Sequence, residues 1–278
     1  MRRIIFLLFI SCLSICWGQS KDISWGCKQK IDKGSNILFI GNSYTYGNAL
    51  PTMLQAFCDH RKHQVKIESY TAGGASLANH WKNPQVQRKL DSKKWAVVIL
   101  QDQSMTPILI PQNTLQYGAQ FCKKIKNQGG EPVLYLTWGR RSTNGTPIQE
   151  DEAGLIKTYT QLAQHENATV SPVGIAWKNC LTKHPNIPLY APDGKHPTVQ
   201  GSYLTACVIY CTLFLKSPLG LPEKISLSNK TFCKLSSIQT KALQQVAWDT
   251  FIALHPKGIL KKPTTSTSHN TKSTSTQP

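Results

Sequence analysis

Short apolar runs rich in β-branched and aromatic residues recur along the chain, and between them apolar positions return every three to four residues. The runs predict strands at Ile37 to Ile40, Val65 to Tyr70, Ala96 to Leu100, Pro132 to Thr137 and Thr169 to Val173. The helical period predicts helices at Leu50 to His60, Leu77 to Leu90, Thr114 to Asn127 and Glu152 to Glu166, followed by Gln200 to Leu215 and Ser236 to Leu254. Strands that alternate with helices rather than with tight turns imply an α/β fold with a parallel sheet. No internal repeat is visible.

The two ends break this pattern. Arg2 and Arg3 precede an apolar stretch from Ile4 to Ile15, and Cys16 and Gly18 put small residues at −3 and −1 of a cleavage point, the layout of a secretory signal. The stretch is shorter than the ~20 residues of a spanning helix, which favours cleavage over an uncleaved anchor. Ile15 is too large to precede a lipidated cysteine. Export after cleavage near Gly18 is therefore expected, to the medium, the periplasm or the cell surface. From Pro263 onward, PTTSTSHNTKSTSTQP offers nothing to bury and is expected to be disordered. The resulting plan is a signal peptide over 1–18, a lead-in over 19–35, one domain over 36–256 and a Ser/Thr-rich tail over 257–278.

Charge and cysteines narrow the partners. The 278 residues carry 32 Lys and Arg against 14 Asp and Glu, a formal net charge of +18. Cleavage would remove two arginines and two of the nine cysteines, leaving net +16 and seven thiols. The lysines are dispersed and no nucleic-acid-binding signature accompanies them. Attraction to anionic wall polymers or a membrane surface is the expected use of the charge. Seven is odd, so at least one thiol stays unpaired. Cys207 and Cys211 lie within an apolar run as expected of core residues, no spacing is C-x-x-C, and no metal site is expected.

The first strand ends in FIGNSYTYGNALP, which puts Ser43 after a strand with a helix opening beyond it. Functional groups gather outside the carboxyl ends of strands in such sheets. Two readings fit this segment alone: Ser43 is an exposed nucleophile, or it caps the next helix. It is not a G-x-S-x-G elbow, and no Walker A lysine follows. The second strand ends in YTAGGASL, whose glycines let backbone N–H groups approach a ligand, and the third ends in VVILQDQS, which brings amides to the same edge. Downstream, Asp193 lies three residues before His196. A serine hydroxyl needs a base, and an imidazole base needs a carboxylate to hold its tautomer and orientation.

These four blocks, in this order, resemble the SGNH/GDSL hydrolase family. Gly41-Asn42-Ser43 stands where the family has G-D-S, Gly74 is the glycine of the second block, Gln101-Asp102-Gln103-Ser104 replaces G-x-N-D, and Asp193-Gly194-Lys195-His196 matches D-x-x-H. The likeness spans roughly Asn36 to Leu215, and YLTWGR, SPVGIAW and DGKHPTVQGSYLTACV look like a bacterial, largely uncharacterised subfamily. It implies a flavodoxin-like three-layer α/β/α fold with a central, mostly parallel sheet, and a serine esterase without cofactor. Ser43 would attack an ester carbonyl, His196 would act as base and then acid, and Asp193 would orient His196. The oxyanion would meet the N–H groups of Ser43 and Gly74 and the amide of Gln103. Two departures stand out: Asn42 replaces an aspartate, and Gln103 is one methylene longer than the family's asparagine.

By analogy the substrate is a small acyl ester, such as acetate on a carbohydrate, since no apolar lid segment is present. Trp138, Arg140 and Arg141 follow the fourth strand at the same edge, where substrate lining, packing and surface charge are all open. His80 and Trp81 lie one to two turns beyond Gly74 and are candidates to touch substrate. Strand alternation turns Asp102 away. His60, His63, His165, His184 and His255 read as surface residues. A different class of function, a non-catalytic glycan-binding or surface protein on the same fold, is opposed by retention of Ser43, Asp193 and His196 together.

Overall fold

The first strand, β1 (Asn36–Gly41), is apolar on both faces because helices cover both sides of the sheet. Ile37 and Phe39 enter one core with Val97, Ile99, Val133 and Tyr135, while Leu38 and Ile40 enter the other with Val98, Leu100 and Leu134. The computed structural model describes residues 22–142, 145–227 and 230–255. In chain order β1 is followed by α1 (Ser43–Tyr46), α2 (Leu50–His60), β2 (Lys66–Thr71), α3 (Leu77–Lys82), α4 (Pro84–Asp91), β3 (Val97–Leu100), α5 (Thr106–Leu109) and α6 (Pro111–Asn127). Next come β4 (Glu131–Tyr135), α7 (Gln149–Glu166), β5 (Thr169–Ser171), α8 (Val173–Lys183), α9 (Val199–Phe214), the hairpin of β6 (Lys224–Leu227) and β7 (Lys230–Lys234), and α10 (Ser237–Leu254).

The main sheet is parallel throughout, in the order β2-β1-β3-β4-β5. Helices α2, α8, α9 and α10 close one core, and α3, α4, α6 and α7 close the other, giving the expected three layers. The chain leaves β1 toward β2 on one side and returns to β3 on the other. A crevice opens outside the strand ends at such a reversal, and the ends of β1 and β3 meet there.

Several boundaries differ from the sequence reading, each for a local reason. The helix expected over Leu77 to Leu90 is two, because Pro84 lacks an N–H and starts α4 under an Asn83 cap that accepts from Gln85 N at 2.9 Å. The fifth strand stops at Ser171, and Val173 already belongs to α8, a helix with no separate signal in the short VGIAW run. Gly174 permits it: a Cβ there would lie 2.1 Å from the Thr137 carbonyl oxygen. The β6–β7 hairpin, short and mostly polar, was not expected either.

The described part of the lead-in packs onto the domain. Ser24 bridges to Thr169 beside β5, and the buried Glu131 carboxylate accepts the N–H groups of Lys28 and Gln29. All seven described cysteines are free and buried, with Cys207 and Cys211 in the interior of α9. Burial pushes the thiols of Cys58 and Cys180 up to about 12, so they stay protonated. No helix among the described residues is long and apolar enough to cross a membrane. The segments expected to form a signal peptide and a tail lie outside the described residues.

Candidate active site

The end of β1 is shaped by its last residue. A side chain on Gly41 would meet Thr45 Oγ1 at 2.4 Å and Gln101 Oε1 at 2.6 Å, so the chain turns tightly there. Asn42 then caps α1, its Oδ1 accepting the Tyr44 N–H at 3.1 Å. The cap is thus Asn42, not Ser43, and Ser43 stands in the first helical turn. Asn42 also ties the neighbouring loops, since its Nδ2 donates to Ala75 O at 3.0 Å and Asp102 O at 3.4 Å.

Ser43 Oγ lies 2.9 Å from His196 Nε2, and His196 Nδ1 lies 2.5 Å from Asp193 Oδ2. The carboxylate can only accept, so Nδ1 carries the proton and Nε2 offers its lone pair to the serine hydroxyl. Asp193 Oδ1 accepts the N–H groups of Lys195 at 3.0 Å and His196 at 2.9 Å, in a turn made possible by Gly194 at φ +70°. Desolvation pushes the Asp193 carboxyl up, but the hydrogen bonds from the His196 ring and backbone and from Lys195 outweigh it and hold it at about 2. The Tyr44 ring stands edge-on to the imidazole at 5.6 Å.

The serine and histidine open into a cleft of about 340 Å³ that is also lined by Asn42, Tyr44, Tyr46, Gly74, Gln103, Ser104 and Lys195. Gly74 occupies the third position of the Ala72–Ala75 turn with φ +65°, a conformation that favours glycine. Gln103 Oε1 accepts the N–H groups of Met105 at 2.7 Å and Thr106 at 3.0 Å, and its Nε2 donates to Ser104 Oγ at 3.4 Å, both side chains lining the cleft. Gln101, by contrast, is fully buried, its Oε1 accepting from Asn42 N at 2.8 Å and Thr45 Oγ1 at 2.9 Å.

The remaining candidates stand behind this cleft. His80 is buried with its Nε2 2.9 Å from the Gly41 carbonyl oxygen, so it braces the strand end and does not line the cleft. Burial lowers its pKa, which keeps the ring neutral. Trp81 packs edge-on against Phe121 in the second core. Trp138 is also buried, stacked between Tyr44 at 4.7 Å and Trp177 at 3.6 Å, with Nε1–H donated to Lys195 O at 3.0 Å. It therefore contacts the loop that carries His196. Arg140 is engaged by Asp151, with Nε to Oδ2 at 2.7 Å, while Arg141 donates its N–H to Gly194 O at 2.8 Å and lies over the Tyr190 ring. His63, read as a surface residue, instead stacks on Phe214 at 3.9 Å. Tyr44 and Tyr46 were not singled out in the sequence, and Ser104 and Lys195 were named there only as members of the third and fourth blocks, with no role given. Among the described residues no three His, Cys, Asp or Glu side chains are grouped to hold a metal ion.

No family model and no curated protein matches the chain. Solved structures do. A candidate SGNH hydrolase from Slackia heliotrinireducens is 27% identical with a TM-score of 0.58, covering 65% of this chain and 99% of that one. A DUF4886 family protein from Bacteroides uniformis is 18% identical with a TM-score of 0.66, covering 79% and 95%. A mutant of an acetyl-xylooligosaccharide esterase from Geobacillus is 14% identical with a TM-score of 0.55, covering 66% and 96%. The chain has the SGNH/GDSL hydrolase fold, shared with solved hydrolase and esterase structures.

Proposed function

We propose that this protein is a serine esterase that removes a small acyl group, such as acetate, from a carbohydrate. The observation that carries the reading is the Ser43–His196–Asp193 chain of hydrogen bonds at the switch point of the sheet, opening into the same cleft as Gly74 and Gln103. His196 takes the Ser43 proton as Oγ attacks the ester carbonyl, and Asp193 stabilises the imidazolium that forms. The negative charge on the carbonyl oxygen is met by the N–H groups of Ser43 and Gly74 and by Gln103 Nε2. The imidazolium then protonates the departing alcohol. Water, deprotonated by the same ring, attacks the acyl-serine; the bond to Ser43 Oγ breaks, His196 returns the proton to Oγ, and the acid is released.

The small-acyl assignment is supported by the cleft itself, which is open and mostly polar, with the half-exposed Tyr46 as an aromatic face on which a sugar can stack. An acetyl-xylooligosaccharide esterase among the structures of this fold supports the same class. The sequence supports export and contact with anionic wall polymers. Ser43→Ala should leave the melting temperature unchanged and abolish hydrolysis of an acetylated oligosaccharide panel. Wild-type protein that binds those glycans without releasing acetate would favour the non-catalytic reading instead.

A further inference from the structure

A buried carboxylate behind the cleft takes no part in the hydrogen-bond chain or among the three proposed oxyanion donors. Asp102 follows the end of β3 and is 1% exposed. Its Oδ1 accepts two backbone N–H groups, from Leu77 at 2.8 Å and from Gln103 at 2.7 Å. Its Oδ2 accepts the hydroxyl of Thr114 at 2.6 Å, a buried side chain near the start of α6. The Asp102 carbonyl oxygen in turn accepts the amide groups of Asn42 and Gln101.

These partners belong to different segments. Leu77 opens α3 and closes the loop that presents Gly74, and Gln103 is the side-chain donor itself. One carboxylate oxygen therefore joins the two loops that supply oxyanion donors, and Thr114 anchors the other oxygen to a long helix. Charge-assisted hydrogen bonds of this kind are roughly twice as strong as neutral ones, and they are directional. Burial raises the Asp102 carboxyl above the usual carboxylate range, and the bonds from Thr114, Leu77 and Gln103 offset only part of that rise.

We propose that Asp102 is a positioning residue for the oxyanion hole, holding the Gly74 loop and the Gln103 turn at the one spacing at which both meet the developing negative charge. This role rests on the esterase reading above. Misplacing such groups by ~1 Å costs up to about 10²-fold in rate, and the cost falls on the chemical step.

The test is steady-state hydrolysis of a small acetate ester alongside the rate of Ser43 labelling by a fluorophosphonate. Asp102→Asn should lower kcat by about 10- to 10²-fold with KM within about twofold, and slow labelling in parallel. In a Gln103→Ala background the same change should cost several-fold less than in wild type, because one of the two donors it positions is gone while the Gly74 loop still depends on it. Thr114→Val, which removes the outer anchor alone, should lower kcat by about threefold or more and carries the test if Asp102→Asn does not fold. Wild-type kcat in both variants, or losses that multiply fully with Gln103→Ala, would overturn the role. A wild-type protein whose Ser43 never labels would instead strike down the esterase reading, and this role with it.

Discussion

Gln103→Glu separates the turn that Gln103 holds from the oxyanion contact proposed for it. The substitution preserves shape, and a carboxylate oxygen would still accept the Met105 and Thr106 N–H groups that Gln103 Oε1 now accepts at 2.7 and 3.0 Å. The turn should hold, with the melting temperature within ~2 °C of wild type. The other oxygen, however, replaces Nε2 in the cleft. Loss of one oxyanion donor costs about 10² to 10³ in kcat. A negative charge ~4 Å from the oxyanion adds repulsion of about 4 kcal/mol at an effective dielectric near 20, less where water enters the open cleft. Together these predict a fall in kcat of at least about 10³ with little change in KM. Gln103→Ala should also lose about 10² to 10³ in kcat, but with a stability cost of about 1 kcal/mol for each N–H left without its acceptor. The assay is kcat and KM on 4-nitrophenyl acetate, paired with thermal melts. A Gln103→Glu enzyme with wild-type turnover would remove Gln103 from the oxyanion hole.

The Asp193 carboxyl is held at about 2, below the ~3.9 of an unfolded chain, so between those values the folded state binds fewer protons. Its stabilising contribution is therefore present above pH ~4 and lost as pH falls toward 2; Asp193→Asn should flatten that part of the melting profile and lower kcat by orders of magnitude. An unchanged acid limb would show that the hydrogen bonds of Asp193 add nothing to the fold. Trp138→Phe keeps a ring between Tyr44 and Trp177 but loses the bond to Lys195 O, which should cost about 1 kcal/mol in a chemical melt and lower kcat while leaving KM unchanged. A raised KM at constant kcat would instead put Trp138 on the substrate.

Strand and helix order was readable in the chain because two-sided burial writes continuous apolar runs into β1, β3 and β4, and half-buried helices write the longer period between them. Helix α8 escaped because its apolar residues begin straight after β5, and its fit depends on Gly174 lying against Thr137 O, a contact 37 residues apart in sequence. Ser43, Asp193 and His196 were legible because short spacing and strand ends announce them. Trp138 and His80 were visible as residue types at the correct edge, yet both faces of the Trp138 ring are covered and His80 is bonded to Gly41 O, facts set by tertiary packing. Thr114 left no trace, since nothing in its helix marks a partner just beyond the end of β3. Gln103 lines the cleft, but which end of its amide faces it depends on the turn that follows.

The central claim is that Ser43 forms the covalent intermediate. Treating the folded protein with a fluorophosphonate, digesting it and mapping the adduct by peptide mass spectrometry reads this directly, because the reagent phosphonylates a serine only where a base and an oxyanion hole activate it. A single adduct on the peptide bearing Ser43, absent from His196→Ala, is the predicted result. An adduct on another residue, or none while the same sample hydrolyses an acetate ester, would contradict it.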